Sequence, residues 1–224
     1  MTVHFVEELQ QLNDRMLYMS SVVENHFLKA ITALRVSDRN LAQQVIDGDD
    51  EIDKLELEID SLCLKLLALQ QPMASDLRTI IGILKINNDL ERIGDHSANI
   101  AKRALRLADY EQVKPPKEVF DMAEMVENMY SDCMLAYTEK NTERALLIRQ
   151  KDKKIDETEN FIIRNLFHTM QKNPKLVPQE TDLIIIVKNF ERIADYVTNI
   201  AEEIIFILQA IQVKHQPQEG ASTV

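Results

Sequence analysis

The chain has 224 residues, 45% of them apolar, with a formal charge of −11, four glycines, six prolines and two cysteines. So acidic a chain does not neutralise a nucleic-acid backbone, and Cys63 and Cys133, 70 residues apart, form neither a zinc nor a disulfide framework. Its longest apolar runs, such as Leu183 to Val187 and Ile204 to Leu208, span five residues, whereas a membrane helix needs about 20.

Scarce turn residues and abundant Leu, Ile, Ala, Glu, Lys and Gln favour helices over strands, so the chain reads as all-α. The N-terminus, MTVHFVEELQ, is acidic and amphipathic rather than a signal peptide. In the first helix Leu9, Leu12, Met16, Met19 and Val23 recur at three and four, and Ser37-Asp38 ends it. Asp38 is a good N-cap for a second helix carrying Ile52, Leu55, Ile59, Leu62, Leu66 and Leu69, which stops at Gln70-Gln71-Pro72. A third helix follows, and then the polar stretch Asp109 to Glu118, where Pro115 and Pro116 mark a linker over 111–118. The fourth helix carries Met122, Met125 and Met129 on one face, read as core filler. Asn141 should cap the fifth, the stretch from Asn173-Pro174 to Pro178 should end it, and a sixth runs to a frayed tail over 214–224. Lys102, Arg103 and Arg106, like Lys151, Lys153 and Lys154, read as solvated helix faces.

The halves repeat each other. A shift of 100 places Glu91 to Ala101 on Glu191 to Ala201 with seven of eleven residues shared. A shift of 103 places Asp49, Ile52, Asp53, Glu56 and Ile59 on Asp152, Ile155, Asp156, Glu159 and Ile162. Duplication of a three-helix unit implies six long helices forming two pseudo-symmetric antiparallel three-helix bundles, over 1–110 and 119–213.

The repeated residues are carboxylates where a helix ought to be apolar. Asp49 and Asp53, Glu91 and Asp95, Asp152 and Asp156, and Glu191 and Asp195 each stand at i, i+4, about 5 to 6 Å apart between Cβ atoms, where like charges repel. Oxygen donors in that pattern suit hard cations such as Mg, Ca, Mn or Fe. An ion-pair network with Arg92, Lys188 and Arg192, or a solvated acidic face, is also open from spacing alone. Glu91 has no basic residue at i±3 or i±4, and no Glu-x-x-His points to a di-iron oxidase. His26, His96 and His168 read as structural, and no sequence motif for catalysis occurs.

GDDEIDKLELEID (Gly48 to Asp60), QQPMASDLR (Gln70 to Arg78), DLERIGDHSANIA (Asp89 to Ala101) and ERIADYVTNIA (Glu191 to Ala201) resemble the signature segments of the PhoU family, over about residues 5–212. The resemblance implies two three-helix bundles side by side, binding divalent or trivalent, multinuclear metal (Fe, Zn, Mn or Mg) through Asp49, Asp53, Glu91, Asp95, Asp152, Asp156, Glu191 and Asp195. It also implies a non-enzymatic regulator of phosphate uptake and signalling. Such a protein is a cytoplasmic homodimer at the inner face of the membrane, and does not insert in the bilayer itself. It couples the ATPase subunit of a phosphate ABC transporter to a sensor histidine kinase and represses phosphate-starvation genes when phosphate is plentiful. Alternatives are an adaptor of a different phosphate transporter and a metal-storage bundle. Gln71, Pro72, Ser75, Asp76 and Arg78 are the expected partner contacts, because the corresponding stretch after Asn173 diverges.

Overall fold

Two turns of the fold are built alike. Ser37 and Lys140 are left-handed, with φ of 55° and 53°. The N–H of the next residue reaches back five, Asp38 to Ala33 O at 3.0 Å and Asn141 to Ala136 O at 2.9 Å. That is a helix stop of the Schellman kind. Each of those residues then starts the following helix: the Asp38 carboxylate accepts from Leu41 N and the Asn141 side chain from Arg144 N, both at 3.0 Å. The turns are related by the shift of 103, so the duplication is visible in local chemistry.

The computed structural model describes residues 3–70, 72–110 and 114–212. Its helices are α1 (Val3–Val36), α2 (Arg39–Asp47), α3 (Asp49–Gln70), α4 (Ala74–Leu107), α5 (Lys117–Thr138), α6 (Thr142–Lys172) and α7 (Val177–Gln209), with a 3₁₀ turn, Pro174–Leu176, before α7. No strand occurs among the described residues. The expected second helix is divided at Gly48 into α2 and α3. A Cβ at position 48 would lie 2.7 Å from Cε1 of the buried His26 ring, so the close approach requires glycine, and glycine is a poor helix former. Its repeat equivalent is Lys151, and α6 runs through without a break. Helix α5 starts at Lys117, two residues inside the expected linker, directly after Pro116. Of that linker 111–113 lie outside the described residues, as does the tail over 214–224.

Helices α1 to α4 form one bundle and α5 to α7 the other. They join mainly where α4 lies antiparallel to α7, a seam with charge at both ends and rings in the middle. Lys85 Nζ holds both carboxylate oxygens of Glu203 at 3.0 Å, and Arg103 Nη1 meets the buried Asp182 at 3.1 Å. Between them His96 Nδ1 stands 2.7 Å from Asn189 Oδ1. The His96 ring stacks on Tyr196 with centroids 5.6 Å apart. Residues 96 and 196 are repeat equivalents, so their stacking marks the pseudo-twofold axis. A second seam pairs α1 with α5 through Tyr130, which donates to Ser20 O at 2.7 Å, and Tyr137, which donates to Asn13 Oδ1 at 2.6 Å. One apolar core runs through both bundles, with Leu12 and Met16 from α1, Ile86 and Leu90 from α4, and Phe190 and Ile193 from α7 wholly buried. Met122 and Met129 join it as filler.

The left-handed residues give a stability test. An L-residue in that conformation costs about 1 to 2 kcal/mol, which glycine avoids at some entropic cost of its own. Ser37→Gly and Lys140→Gly should each raise the unfolding free energy by about 0.5 to 1 kcal/mol, read by urea denaturation, whereas Ser37→Val should lower it.

Candidate functional site

On α3 the acids Asp49, Asp53 and Glu56 fall at i, i+4 and i+7, and so share one side of the helix. The neighbouring side carries Ile52, Leu55 and Ile59, which are buried in the core. That burial turns the acids toward α4, where Glu91 and Asp95 flank Ile93 in the same way. Gly94 sets the separation: a Cβ there would come within 2.8 Å of Ile52 Cδ1, so α3 lies close against α4 beside the acids. The second bundle repeats this. Asp152, Asp156 and Glu159 on α6 stand with Glu191 and Asp195 on α7, over buried Ile155, Ile162, Ile193 and Val197.

Burial and mutual repulsion raise the proton affinity of seven of these groups. Burial, reinforced by Asp95 and opposed by Arg92, pushes Glu91 up to about 7. Asp49 is raised by burial and then by Asp95 and Asp53, and Glu56 by burial and then by Asp60 and Asp53. In the other bundle Asp152 is pushed up to about 6 by burial, Asp156 and Asp195. Burial raises Asp156, Glu191 and Asp195 as well, ahead of their acidic neighbours.

Cations offset this only in part. Arg92 lies 3.7 Å from Asp95 and Arg192 3.3 Å from Asp195, the i, i+3 pairs expected from sequence. Arg92 also bends back to its neighbour Glu91, with Nε 3.4 Å from Oε2, a contact the i±3 and i±4 rule does not cover. Lys188 binds Glu159 at 2.6 Å. Yet Oε2 of Glu91 and Oε2 of Glu191 are shut off from solvent and accept no hydrogen bond, and each half holds more acids than its cations match.

The structure places the eight expected carboxylates on facing helices, four per bundle, where Asp49 and Asp95, and Asp152 and Asp195, feel each other's charge. Sequence reasoning left Glu56 and Glu159 out of the donor set, although both recur in the shift of 103 that aligned the aspartates; recurrence was the available signal. The set fits a hard cation in donor chemistry, and Oε2 of Glu91 and of Glu191, although near Arg92 and Arg192, accept no hydrogen bond. Among the described residues no three acidic, histidine or cysteine side chains are already drawn into one cage.

Of the expected partner contacts, Gln71 lies outside the described residues. Pro72 precedes α4, and Ser75, Asp76 and Arg78 lie in its first turns. Asp76 is about 22 Å along the helix axis from Glu91, so this is a separate place on the molecule. Cys63 and Cys133 are buried free thiols, each directed at a backbone carbonyl, and burial pushes Cys63 up to about 12. His26 is buried and His168 is exposed.

A family model, the PhoU domain, matches residues 16–104 and again 119–204. The chain is 37% identical over 214 residues to the phosphate-specific transport system accessory protein PhoU homolog of Pseudomonas putida, covering 94% of this chain and 83% of that one. It is 37% identical over 210 residues to the Aquifex aeolicus protein of the same description, covering 94% and 95%. The crystal structure of PhoU from Pseudomonas aeruginosa superposes with a TM-score of 0.89 at 35% identity, covering 92% of this chain and 100% of that chain. That of the phosphate transport system regulatory protein PhoU from Streptococcus pneumoniae gives 0.88 at 32% identity, covering 93% and 99%.

The raised carboxylates fix the sign of a pH dependence. Unfolded Glu and Asp titrate near about 4, so in the metal-free protein the folded state holds extra protons from about pH 4 to about pH 7. The stability so gained is complete at the low end and lost as pH rises through the folded values. The melting temperature of chelator-treated protein should fall between pH 5 and pH 8, and Glu91→Gln should shrink that fall. A rise over the same range would show the carboxylates to be held charged by cations.

Proposed function

The chain belongs to the PhoU family, and from that premise we propose that it is a non-enzymatic accessory protein of a phosphate-specific transport system whose carboxylate sets hold metal ions. The observation carrying the metal reading is the duplicated surplus of half-buried acids. Like charges gathered on facing helices are costly unless protons, cations or metal answer them, and both bundles keep the arrangement. Asp49, Asp53, Glu56, Glu91 and Asp95 would hold metal in one half, and Asp152, Asp156, Glu159, Glu191 and Asp195 in the other. A hard cation supplies positive charge between α3 and α4, or between α6 and α7. The aspartates and glutamates would supply the oxygen donors, and the buried Ile52 and Ile155 would exclude water from beneath.

The functional reading draws on the relatives, which are described as accessory or regulatory proteins of phosphate transport. No described helix is long and apolar enough to cross a membrane, so contact with a transporter runs through protein surface. The proposed partners are the ATP-hydrolysing subunit of a phosphate ABC transporter and a sensor histidine kinase at the inner face of the membrane. The acids of α3 and α4, and of α6 and α7, would hold the metal, whose positive charge would offset their repulsion and so stiffen the bundles. Such an adaptor shifts its transporter between states only through a difference in affinity for them.

Two measurements test this. Adding Mn, Fe, Mg or Zn to the metal-free protein should raise its melting temperature, with about 2.7 kcal/mol of stabilisation at a hundredfold excess over Kd. Glu91→Ala with Asp95→Ala should abolish the first bundle's share. No response from the wild type to any of the four would sink the metal reading. Deleting the gene should release alkaline phosphatase in phosphate-rich medium; unchanged repression in a host without a second copy would remove the regulatory one.

A further inference from the structure

The two carboxylate sets part company at one end. On α3 the row Asp49, Asp53 and Glu56 continues four residues on to Asp60, and on α4 Asn87 stands four residues before Glu91. At the equivalent places the second bundle has Ile163 and Val187, by the shifts of 103 and 100. A third difference lies beside them. Where the first bundle has the exposed Asn88, the second has Lys188, whose Nζ lies 2.6 Å from Oε1 of the buried Glu159. The counterpart of Glu159 is Glu56, so the first bundle has an acid where the second has an acid and its ammonium.

Asn87 is wholly buried, and its amide is turned onto the acid row. Nδ2 donates to Glu56 O at 3.0 Å and to Asp60 Oδ1 at 2.9 Å. Oδ1 is shut off from solvent and has no hydrogen-bond partner. A buried acceptor left unmet costs the fold and is uncommon in native proteins. Packing does not require the amide, because Val187 fills the equivalent place fully buried. Glu91, one turn along α4, also keeps a buried oxygen without a hydrogen bond, and it feels the charge of Glu56 across the two helices.

An amide carbonyl among carboxylates is a donor set that oxygen-seeking divalent cations take. The second bundle shows what the place is suited to, since there a positive charge is supplied by the chain itself. We infer that Asn87 Oδ1, with Glu56, Asp60 and Glu91, forms a cation position in the first bundle beyond the repeated carboxylate pairs, and that Lys188 fills the equivalent position of the second bundle with its ammonium. The inference rests on the reading of the carboxylate sets as metal-holding and makes the two sets unequal: the first holds metal more tightly, and the second carries one of its cations within the chain.

The test uses the full chain after chelator treatment, with whichever of Mn, Fe, Mg and Zn stabilises the wild type most as the probe. Affinity is read by calorimetry and stability by thermal melting. Glu191→Ala with Asp195→Ala isolates the first set, and Glu91→Ala with Asp95→Ala isolates the second. The first set should bind more tightly than the second. In the chain with the first set isolated, Asp60→Ile with Asn87→Val installs residues with which the second bundle already folds. This change should weaken binding at least about tenfold, as the loss of even an outer partner of a metal does, without lowering the metal-free melting temperature. Asn87→Asp keeps an oxygen donor and gives up both hydrogen bonds of the amide. It should melt lower without metal and still bind at least as tightly as its parent. In the chain with the second set isolated, Lys188→Asn should tighten binding. Unchanged affinity in the Asp60→Ile, Asn87→Val chain, or no gain from Lys188→Asn, overturns the inference and leaves the metal reading standing. So does an Asn87→Asp chain that binds as weakly as the valine one, which would make Asn87 only a clasp between α3 and α4. A wild type that responds to none of the four ions removes the metal reading and the inference together.

Discussion

The antiparallel seam between α4 and α7 is the constraint on which the rest of the molecule depends. These two helices are the innermost of their bundles, and each has a partner on more than one side: its twin across the seam, and the acid-bearing helix of its own bundle. Once Lys85–Glu203 and Arg103–Asp182 fix their register, the rotation of both helices is fixed too. Ile86, Leu90 and Ile93 of α4 and Phe190 and Ile193 of α7 then lie in the core. With those side chains committed inward, Glu91, Asp95, Glu191 and Asp195 have to emerge on the flanks, toward α3 and α6. The location of both carboxylate sets is thus a consequence of how the bundles are glued together.

That arrangement opposes stability and site against each other. A core of Leu, Ile, Met and Phe lets the protein tolerate ten half-buried or flanking acids that would unsettle a smaller bundle. The acids in turn are held by rigid helices rather than loops, so their repulsion is not relieved by local movement. The metal-free bundle therefore carries unrelieved charge that protons or a cation discharge. The seam itself is kept apart from this: its ion pairs sit near its ends, and its middle is an imidazole on a phenol ring.

Much of this was legible in the sequence, and for identifiable reasons. Asp38 and Asn141 announced their helix starts because an N-cap is a local device, written in one side chain. The shifts of 100 and 103 revealed the pseudo-symmetry because duplication leaves its record in residue identity. The eight acids stood out because they interrupt apolar stripes. The break at Gly48 did not, since it depends on His26, which is distant in the chain and meets it only through packing. Glu56 and Glu159 extend the i, i+4 pattern by three, so an isolated pair of acids does not reveal them. Lys188 stands three residues before Glu191 on α7, yet it reaches across to Glu159 on α6; helical spacing says nothing about a neighbour's offer. Ser75, Asp76 and Arg78 stand out in the sequence by the divergence of their repeat counterpart, but the cleft they line does not, because its walls come from four helices.

The stacked pair His96 and Tyr196 has one further consequence. A position on a twofold axis must face its own copy, so two separate, identical three-helix subunits would have to set histidine on histidine or tyrosine on tyrosine there. Covalent fusion lifts that restriction. Each half can mutate alone, and the axis becomes the place where an asymmetric contact first gains something a symmetric assembly could never have: a ring that donates a hydrogen bond to Asn189 on one side, facing a ring with different polarity on the other. The joined chain can therefore tell its two halves apart at its centre, and a partner that must approach from one direction has a molecule with a front and a back.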